Sequence, residues 1–303
     1  MNIQTDVFRV LEETSRTFYI QATRLPNKLQ QAATAAYLSM RALDEIEDHT
    51  RLDNACKEKL LHELSWILQT HTASDGFIEF DFSRLFRPYQ TELPEVTLRI
   101  GEWLSYPPED IAPPIWHAAA TMADRMAYWV RHNWNIRTET DLNLYTFDVA
   151  GAVGLLSCDI WSWFAGGQID RAFAIQLGRG LQAVNILRNR EEDAQRQVDF
   201  YPVGWRREHM FTYTHNLLDW TKEKVRFVPR DAFEYLFEIP LALAEATLDA
   251  LEDGKTKLTR EQVRQIINRL DERKRTTKAP YQRRSKNVPT VVVRKGSALC
   301  GSG

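Results

Sequence analysis

The stretch "YLSMRALDEIEDH", residues 37–49, carries polar side chains on an aliphatic segment and concentrates negative charge at one end. Its polar residues recur at steps of four, three and four, the spacing that keeps side chains on one face of a helix: Tyr37, Arg41, Asp44 and Asp48. An acidic pair one turn apart is most often a solvated helix face with local Arg–Asp pairing. The stretch therefore predicts a helix, and a second polar face elsewhere in the chain is needed before it indicates a site.

A second polar stripe lies in "LQAVNILRNREEDAQRQVDFYP", residues 181–202. Its members follow at steps of three, four and four and are Gln182, Asn185, Asn189 and Asp193, with Glu192 beside them. The intervening residues are aliphatic, so this helix is amphipathic and its stripe faces either solvent or an internal cavity. Oxygen ligands on two facing helices are what Mg²⁺ requires, and bound Mg²⁺ holds phosphate oxygens while arginine and hydroxyl groups complete the grip. The pairing of two stripes favours the cavity.

The composition favours one large helical domain. The chain has 303 residues, of which 44% are hydrophobic and only 13 are glycine. Few segments alternate apolar and polar residues over the length of a strand, and proline-containing breaks separate the helical patterns. We therefore predict an all-α fold, a single-domain helical bundle. Helical patterning covers residues 3–22, 28–48, 55–70, 112–133, 140–165, 169–195, 230–253 and 259–272.

Charge is divided unevenly along the chain. The net charge is −2, yet nine Lys or Arg and no acid follow Glu272. Residues 1–272 therefore form an acidic body, which we expect to be the helical domain and to have no nucleic-acid partner. Residues 273–303 mix basic residues with Pro, Gly and Ser, which predicts a disordered tail. This tail either solubilises the protein or contacts anionic lipid headgroups at the periphery of a membrane.

Cysteines and apolar runs indicate the compartment. The three cysteines are far apart and have neither a disulfide-framework nor a zinc-ligand spacing, which fits a reducing cytosol. The N-terminal "MNIQTDVFRV" has no basic region followed by an apolar run, and the sequence has no run of about 18 apolar residues. We expect a soluble, cytoplasmic protein.

The segment "LYTFDVAGAVGLL", residues 144–156, places small residues in a helical context. Glycine costs about 1 kcal/mol relative to alanine inside a helix, so something should offset that cost. Close contact between helices is one explanation, and space for a long apolar ligand beside the small residues is the other. Tyr145, at the head of the segment, could offer a hydroxyl and a ring face to a cation.

Four separated segments together carry a family resemblance: "TSRTFYI" (14–20), "AAYLSMRALDEIED" (35–48), "YTFDVAGAVG" (145–154) and "QAVNILRNREEDAQRQVDFYP" (182–202). Over roughly residues 10–255 the chain resembles the squalene/phytoene synthases, head-to-head prenyltransferases of the isoprenoid synthase fold. Two acid motifs about 145 residues apart, each preceded by the family's Tyr/Arg or Gln/Asn, make the resemblance specific. It implies a helical bundle with a central apolar cavity.

The resemblance also implies roles for individual residues. Magnesium, with Mn²⁺ as a substitute, would be bound by Asp44, Asp48, Asn189, Glu192 and Asp193. Diphosphate would be bound by Ser15, Arg16, Thr17, Tyr37, Arg41, Gln182, Asn185 and Arg190. The apolar cavity would be lined by Phe18, Ala22, Val149, Ala150, Val153 and Gly154. Catalysis would depend on Tyr145, which would lie near the reacting carbons and take part in proton removal, and on Asp44, Asp48 and Asp193.

The sequence departs from the family's pattern in three places. Asn189 stands where the family usually has Asp, although an amide oxygen can still bind Mg²⁺. Val198 and Phe200 stand where many members have Arg and Tyr, which removes a phosphate contact unless Arg190 or Arg196 supplies it. Asp148 interrupts a segment that is usually apolar or small.

As a function, the resemblance implies Mg²⁺-dependent condensation of two farnesyl diphosphates through presqualene diphosphate to squalene or dehydrosqualene, with release of diphosphate. Three alternatives stay open. They are phytoene synthesis from two geranylgeranyl diphosphates, for which Ala22 could leave room; cyclisation of one prenyl diphosphate, which Asn189 suggests; and a non-catalytic helical binding protein. No G-x-G-x-x-G fingerprint follows a strand, so the sequence does not indicate NADPH, which a reductive last step would use. The sequence sets no oligomeric state.

Overall fold

Every regular element in the described part of the chain is helical. The computed structural model describes residues 3–70 and 82–277. In chain order the α-helices are α1 (Ile3–Thr14), α2 (Arg16–Ala22), α3 (Asn27–Glu47), α4 (Asn54–Thr70), α5 (Ser83–Phe86), α6 (Glu95–Leu98), α7 (Ile100–Ser105), α8 (Ala112–Arg131), α9 (Glu139–Thr146), α10 (Ala152–Ala165), α11 (Arg171–Gln195), α12 (Arg207–Lys224), α13 (Arg230–Ala232), α14 (Glu238–Glu252) and α15 (Arg260–Thr277). Short 3₁₀ turns cover Arg87–Tyr89 and Val225–Phe227, and π-helical turns cover Phe147–Gly151 and Phe233–Phe237.

Side-chain caps decide where some of these helices begin. The hydroxyl of Ser15 accepts a hydrogen bond from the backbone N–H of Phe18 at 3.2 Å. This cap starts α2 and divides into two helices the segment 3–22 that periodicity predicts as one. Thr138 and Asp141 form a reciprocal capping box at the start of α9, which satisfies backbone donors that would otherwise have no partner.

The predicted helices are present, but the pattern missed α12 entirely. Its buried face is formed by Met210, Tyr213, Thr214, Leu217, Leu218 and Thr221. Half of these residues carry a hydroxyl, so the apolar periodicity is hidden. At the other end of the chain, α15 continues to Thr277, past the predicted domain boundary at residue 272. Residues 278–303 of the predicted tail lie outside the described residues, so that division of the chain stays a prediction.

Helices α3 and α11 are central to the two halves of the bundle. Helices α6, α7, α8 and α10 pack on α3, and α4 packs on α8. Helices α9, α10, α12 and α14 pack on α11. Because α10 packs on both central helices, α3, α10 and α11 enclose a space inside the bundle. The two polar stripes of the sequence are therefore on the two helices that border this space.

Small residues allow α10 and α11 to approach each other closely. A Cβ built on Gly154 would lie 2.1 Å from the carbonyl oxygen of Ala174, and one on Gly178 would lie 2.3 Å from the carbonyl oxygen of Ala150. Both distances are far inside van der Waals contact, so neither position admits a side chain. Close helix contact therefore explains the small residues here. Gly154 and Ala150, assigned from the resemblance to the cavity wall, lie in this contact instead.

One stretch of the described chain, Glu139–Ala165, is long and apolar enough to cross a membrane by length and composition alone. Half of its most apolar window is buried inside the protein. The stretch comprises α9, a π-helical turn and α10, which pack on α11 and α3. This packing is that of a core helix, which meets the same length and composition criteria.

Candidate active site

Both polar stripes line one cleft inside the bundle. The cleft has a volume of about 190 Å³. Its lining includes, from α3 and its end, Arg41, Asp44, Glu47 and Asp48, and, from α11 and its end, Gln182, Asn185, Arg188, Asn189, Asp193 and Arg196. Tyr145, Val149 and Phe200 complete one side. All four residues of the second stripe and three of the first therefore border the same cleft, while Tyr37 lines the adjoining apolar cavity.

An apolar cavity adjoins the cleft. This cavity has a volume of about 220 Å³ and shares Arg41, Asp44 and Val149 with the cleft. Its other walls include Phe18, Gln21, Leu25, Met40, Val153, Leu156, Ile160 and Leu236. Phe18, Val149 and Val153 are thus at the predicted place. Ala22 is fully buried in the core, where its carbonyl accepts a hydrogen bond from Gln30 at 2.9 Å, and its neighbour Gln21 lines the cavity.

A wide polar pocket, called the mouth below, also adjoins the cleft. The mouth has a volume of about 810 Å³ and shares Asp48, Asn189, Asp193 and Arg196 with the cleft. Glu192 lines this mouth. The space therefore changes along its length from a polar mouth, through a charged cleft, to an apolar interior.

The first acid motif lies beside an arginine. Arg41 forms an ion pair with Glu45 and approaches Asp44 at 3.9 Å. Burial within the cleft raises the pKa of Asp44 to about 7, an effect that Arg41 opposes and that Asp48 increases. Asp48, at the end of α3, has 56% of its side chain exposed. Asp44, with 35% of its side chain exposed, is thus the more buried carboxylate of the motif, and Asp48 faces the mouth.

The second acid motif is joined to the first by Arg196. Its two terminal nitrogens bind Asp48 Oδ1 and Asp193 Oδ1, each at 2.6 Å. Burial raises the pKa of Asp193, while the hydrogen bond from Arg196 lowers it. Burial also works against the charge of Arg196, but Asp48 and Asp193 outweigh it and raise the arginine pKa.

The amides of the second stripe face the cleft, as the spacing predicts. Asn185 Nδ2 donates to Gln182 Oε1 at 3.4 Å. Asn189 Oδ1 accepts a hydrogen bond from Arg188 Nε at 3.0 Å. Arg188 is a cleft residue that the sequence analysis missed, although its place directly before Asn189 was a usable signal.

Glu47 is a second cleft residue to which the sequence analysis gave no role. Its carboxylate accepts a hydrogen bond from Trp134 Nε1 at 2.6 Å, and its backbone carbonyl accepts one from Lys57 Nζ at 2.9 Å. Burial, with the charge of Asp48 adding to it, raises the pKa of Glu47 to about 8. Its position three residues after Asp44 places it on the same helix face and could have identified it.

Tyr145 is held in the cleft wall by aromatic packing. Its ring stacks on Phe200 with centroids 4.6 Å apart and meets Trp129 edge-on at 5.5 Å. Burial, with the charge of Glu47 adding to it, holds the pKa of Tyr145 well above its ordinary value. Asp148, the unusual acid of this segment, accepts a hydrogen bond from Trp129 Nε1 at 2.9 Å. It therefore orients the ring that packs against Tyr145.

The predicted diphosphate residues near the N-terminus are only partly brought together. Tyr37 stacks on Phe18 with centroids 4.4 Å apart. Burial raises its pKa, and a hydrogen bond with Ser15 acts in the opposite direction. Thr17 is half-buried in α2. Arg16 begins α2, and its side chain lies outside the described residues.

Arg190 is placed apart from the residues that line the cleft. It forms an ion pair with Asp199 at 3.2 Å, and its guanidinium lies 3.9 Å from the ring centroid of Tyr201. Of the two arginines that could replace the family's missing one, Arg196 is therefore the one at the cleft. Val198, at the family's arginine position, is buried.

The donor set of the cleft suits a hard divalent cation. Within residues 3–70 and 82–277, no group of three or more His, Cys, Asp or Glu side chains is close enough together to hold a metal ion as it stands. The facing motifs nevertheless supply only oxygen donors, carboxylates from Asp44, Asp48 and Asp193 and the amide oxygen of Asn189, which is the chemistry that Mg²⁺ selects. The residues therefore fit Mg²⁺ in kind, and Arg196 spans the gap between them.

These observations define a class of protein: an all-helical bundle of the isoprenoid synthase type, with acid motifs on two helices that face an internal cavity. Solved structures share the fold. TcSQS in complex with the ligand BPH1237 has a TM-score of 0.67 and 19% identity, over 89% of this chain and 86% of that one. A dehydrosqualene synthase in complex with a ligand has a TM-score of 0.58 and 17% identity, over 90% of this chain and 98% of that one. The predicted fold class is confirmed.

Sequence comparison identifies the family within this class. The squalene/phytoene synthase family matches residues 11–273, and the chain belongs to that family. It is 30% identical to the squalene synthase of Candida albicans over 238 residues, which are 72% of this chain and 48% of the relative. It is 27% identical to the squalene synthase of Saccharomyces cerevisiae over 252 residues, 76% of this chain and 51% of the relative. The chain spans about half the length of these curated relatives.

Proposed function

We propose that this chain condenses two farnesyl diphosphates head to head, through presqualene diphosphate, to squalene or dehydrosqualene. The observation that carries the proposal is that the charged cleft and the apolar cavity adjoin, with Arg41, Asp44 and Val149 in the walls of both. A prenyl diphosphate has the same division into a charged head and a long apolar chain. With its head in the cleft and its chain in the cavity, its allylic carbon would lie at the junction.

The arginines of the cleft would bind the diphosphate head. Arg41, Arg188 and Arg196 all line the cleft, and a guanidinium matches phosphate oxygens in a two-bond geometry. Gln182 and Asn185 add amide donors on the same side. These residues would fix the head so that the bond to the allylic carbon points toward the apolar cavity.

The two acid motifs would bind the metal ion. Asp44, Asp48, Asn189 and Asp193 would hold Mg²⁺, or Mn²⁺ in its place, and Glu192 is available from the mouth. Bound there, the cation supplies Lewis-acid neutralisation of the leaving diphosphate. The carboxylates at the same time repel a diphosphate that arrives without metal, so loading of the head depends on the cation.

Tyr145 would act as a neutral phenol beside the reacting carbons. In the metal-free protein, burial and the neighbouring carboxylates hold its pKa well above the ordinary value, so the phenol keeps its proton near neutral pH. Its ring face would stabilise positive charge on the allylic carbon, and its hydroxyl would orient an oxygen of the diphosphate. The apolar walls of the cavity exclude water that would otherwise quench the cation.

Product analysis with defined substrates tests the proposal. The purified protein is incubated with farnesyl or geranylgeranyl diphosphate, each with Mg²⁺ or with a chelator and with or without NADPH, and the released diphosphate and extracted hydrocarbons are measured. We expect dehydrosqualene from farnesyl diphosphate without NADPH, squalene if NADPH is used, and no product with the chelator.

The other products each identify a different activity. Phytoene from geranylgeranyl diphosphate in place of the farnesyl-derived product would change the substrate assignment. A cyclic product from a single farnesyl diphosphate would support the cyclase alternative. No release of diphosphate from either substrate in Mg²⁺ would exclude the enzyme proposal and leave a binding protein of this fold.

A further inference from the structure

Arg196 links the two acid motifs at the point where the cleft meets its mouth. It caps the C-terminus of α11, and its side chain, 19% exposed, binds Asp48 and Asp193 at 2.6 Å each. One guanidinium thus makes two charge-assisted hydrogen bonds to carboxylates from opposite sides of the cleft. This arrangement ties the end of α3 to the end of α11.

The backbone around Arg196 holds it at this position. Gln197 has a φ of 61°, a left-handed conformation that is uncommon for a residue other than glycine. The N–H of Val198 then donates to the carbonyl of Asp193 at 3.1 Å. The chain therefore turns back at once after Arg196, which keeps the guanidinium over the end of the acid stripe.

The other cleft arginines do not make this link. Arg41 forms its ion pairs with Glu45 and Asp44 of its own helix, and Arg188 donates to its neighbour Asn189. Among the described residues that line the cleft, Arg196 is thus the cation that spans both motifs. The oxygens that it binds are the ones that a divalent cation bridging the motifs would need, so the two must compete.

We propose that Arg196 is a positioning residue that holds the acid motifs together in the metal-free protein, releases Asp48 and Asp193 when divalent cations bind, and then binds the diphosphate. The inference rests on the proposed function and deepens it, since it names the group that exchanges partners as the site is loaded. Once released, the guanidinium at the junction of cleft and mouth lies beside the proposed position of the diphosphate head. The same positive charge therefore pairs first with the carboxylates and then with the diphosphate.

The experiment compares two affinities in one set of variants. Calorimetry measures Mg²⁺ binding to the metal-free protein, and inorganic pyrophosphate binding at saturating Mg²⁺. The variants are Arg196→Gln, Arg196→Lys and, as a matched control, Arg171→Gln, which removes an arginine of the same helix that pairs with Asp159 on the surface. Circular dichroism and thermal unfolding in chelator show whether each variant folds.

The two affinities should move in opposite directions in Arg196→Gln. Without its competitor, Mg²⁺ should bind about three- to ten-fold more tightly, the scale of partly exposed ion pairs. Pyrophosphate should bind about ten-fold more weakly, since a charge-assisted pair is lost. Arg196→Lys should fall between, because a single ammonium group cannot span both carboxylates in the same way. Arg171→Gln should match the wild type in both titrations.

Other outcomes overturn the inference in distinguishable ways. A purely structural role for Arg196 would lower the unfolding temperature in chelator and leave both affinities unchanged, or weaken both. Either result would overturn the exchange and leave the proposed function standing. A wild-type protein that binds neither Mg²⁺ nor pyrophosphate would overturn both. If Arg196→Gln fails to fold, the Arg196→Lys titrations decide by the same two directions.

Discussion

The charged cleft and the apolar cavity are two ends of one space, yet different interactions hold their walls. Across the cleft, Arg196 joins α3 to α11 through ion pairs. Beside the cavity, α10, which lines it, meets α11 backbone to backbone at Gly154, and Gln21 Nε2 donates to the carbonyls of Tyr235 and Leu236 at 2.9 and 3.0 Å. Ion pairs between partly exposed side chains exchange partners at little cost, whereas a close-packed backbone contact cannot move without opening the core.

This difference separates the consequences of mutation. Substitutions in the cleft should change metal and diphosphate binding and leave the free energy of unfolding nearly unchanged. Substitutions in the helix contacts beside the cavity should first lower the free energy of unfolding. Each variant below tests whether effects on ligand binding and effects on the free energy of unfolding are separate in this way. The expected effects decrease from one variant to the next.

The largest effect is expected for Asp48→Ala. Loss of this carboxylate removes a proposed metal ligand, so turnover should fall by about three orders of magnitude, as for other groups that stabilise charge in a transition state. Because 56% of the side chain is exposed, the free energy of unfolding should change by about 1 kcal/mol or less. Product formation at saturating Mg²⁺ measures turnover, and urea unfolding measures stability.

The control variant is Asp249→Ala, which removes an exposed carboxylate of α14. Near-normal turnover of Asp48→Ala at low Mg²⁺ would exclude Asp48 from the metal site.

The second prediction concerns the close contact between α10, which lines the cavity on another face, and α11. Gly154→Ala would place a methyl group 2.1 Å from the backbone carbonyl oxygen of Ala174, and overpacking of this kind should cost about 3 kcal/mol of unfolding free energy. Gly151→Ala is the matched control, because its methyl group would meet the side chains of Phe147 and Arg179, at 3.0 and 3.3 Å. These can move, so its change should stay within about 1 kcal/mol. Equal urea midpoints for the two variants would show that the contact at Gly154 is not rigid.

The same division explains which parts of the fold could be predicted. Helices α3 and α11 were predicted because aliphatic residues recur on their buried faces. Helix α12 was missed because Tyr213, Thr214 and Thr221 occupy its buried face, and their hydroxyls read as polar in a sequence. The break at Ser15 depends on one side-chain cap, which periodicity alone does not reveal.

The candidate site was predictable only where its residues share a helix. The stripes that contain Asp44 and Asn189 follow helical spacing, so their common direction could be predicted. The link made by Arg196 and the hydrogen bond from Trp134 to Glu47 join residues that are distant in sequence. Such pairings depend on how the helices pack, so they cannot be predicted from the residue pattern within one segment. The roles of all these residues stay predictions until they are measured.

The third prediction is a pH dependence at Asp148, in the wall behind Tyr145. Burial raises its pKa, against the hydrogen bond from Trp129 and the charge of Arg125. The folded protein thus holds this proton more tightly than the unfolded chain, whose Asp pKa is about 3.9. The stability that this provides is complete below the unfolded pKa and is lost as pH rises through the folded one.

In Asp148→Asn, stability should no longer be lost as pH rises, because the amide does not ionise. Its oxygen can still accept the hydrogen bond from Trp129 Nε1. The free energy of unfolding of the variant minus that of the wild type should rise with pH above about 4 and then level off once Asp148 of the folded wild type is ionised. Urea unfolding across this pH range measures it, with Asp249→Asn as the exposed control. A difference that does not change with pH would mean that Asp148 titrates alike in the folded and unfolded states.

The smallest effect is expected for Asn189→Asp. If Asn189 binds the metal through its amide oxygen, the added carboxylate supplies charge at the same place with little change in size. Mg²⁺ should then bind about three-fold more tightly and turnover should be kept or raised, because anionic oxygen is the stronger ligand for this cation. Arg188 Nε, which donates to Asn189 Oδ1 at 3.0 Å, can donate to the carboxylate as well. If Asn189 instead marks a different reaction, the products should shift from a cyclic or intermediate compound toward the head-to-head hydrocarbon.

A charge-matched control separates a ligand from a general electrostatic effect. Gln195 is exposed and lines the mouth, and it lies two residues beyond Asp193, off the stripe of the helix. Gln195→Glu therefore adds the same charge to the mouth without adding a donor to the motif. Tighter Mg²⁺ binding in Asn189→Asp alone would place residue 189 among the metal ligands. Equal tightening in both variants would mean that the mouth attracts cations through its overall charge, and an Asn189→Asp protein identical to its parent in Mg²⁺ affinity and products would exclude residue 189 from the metal site.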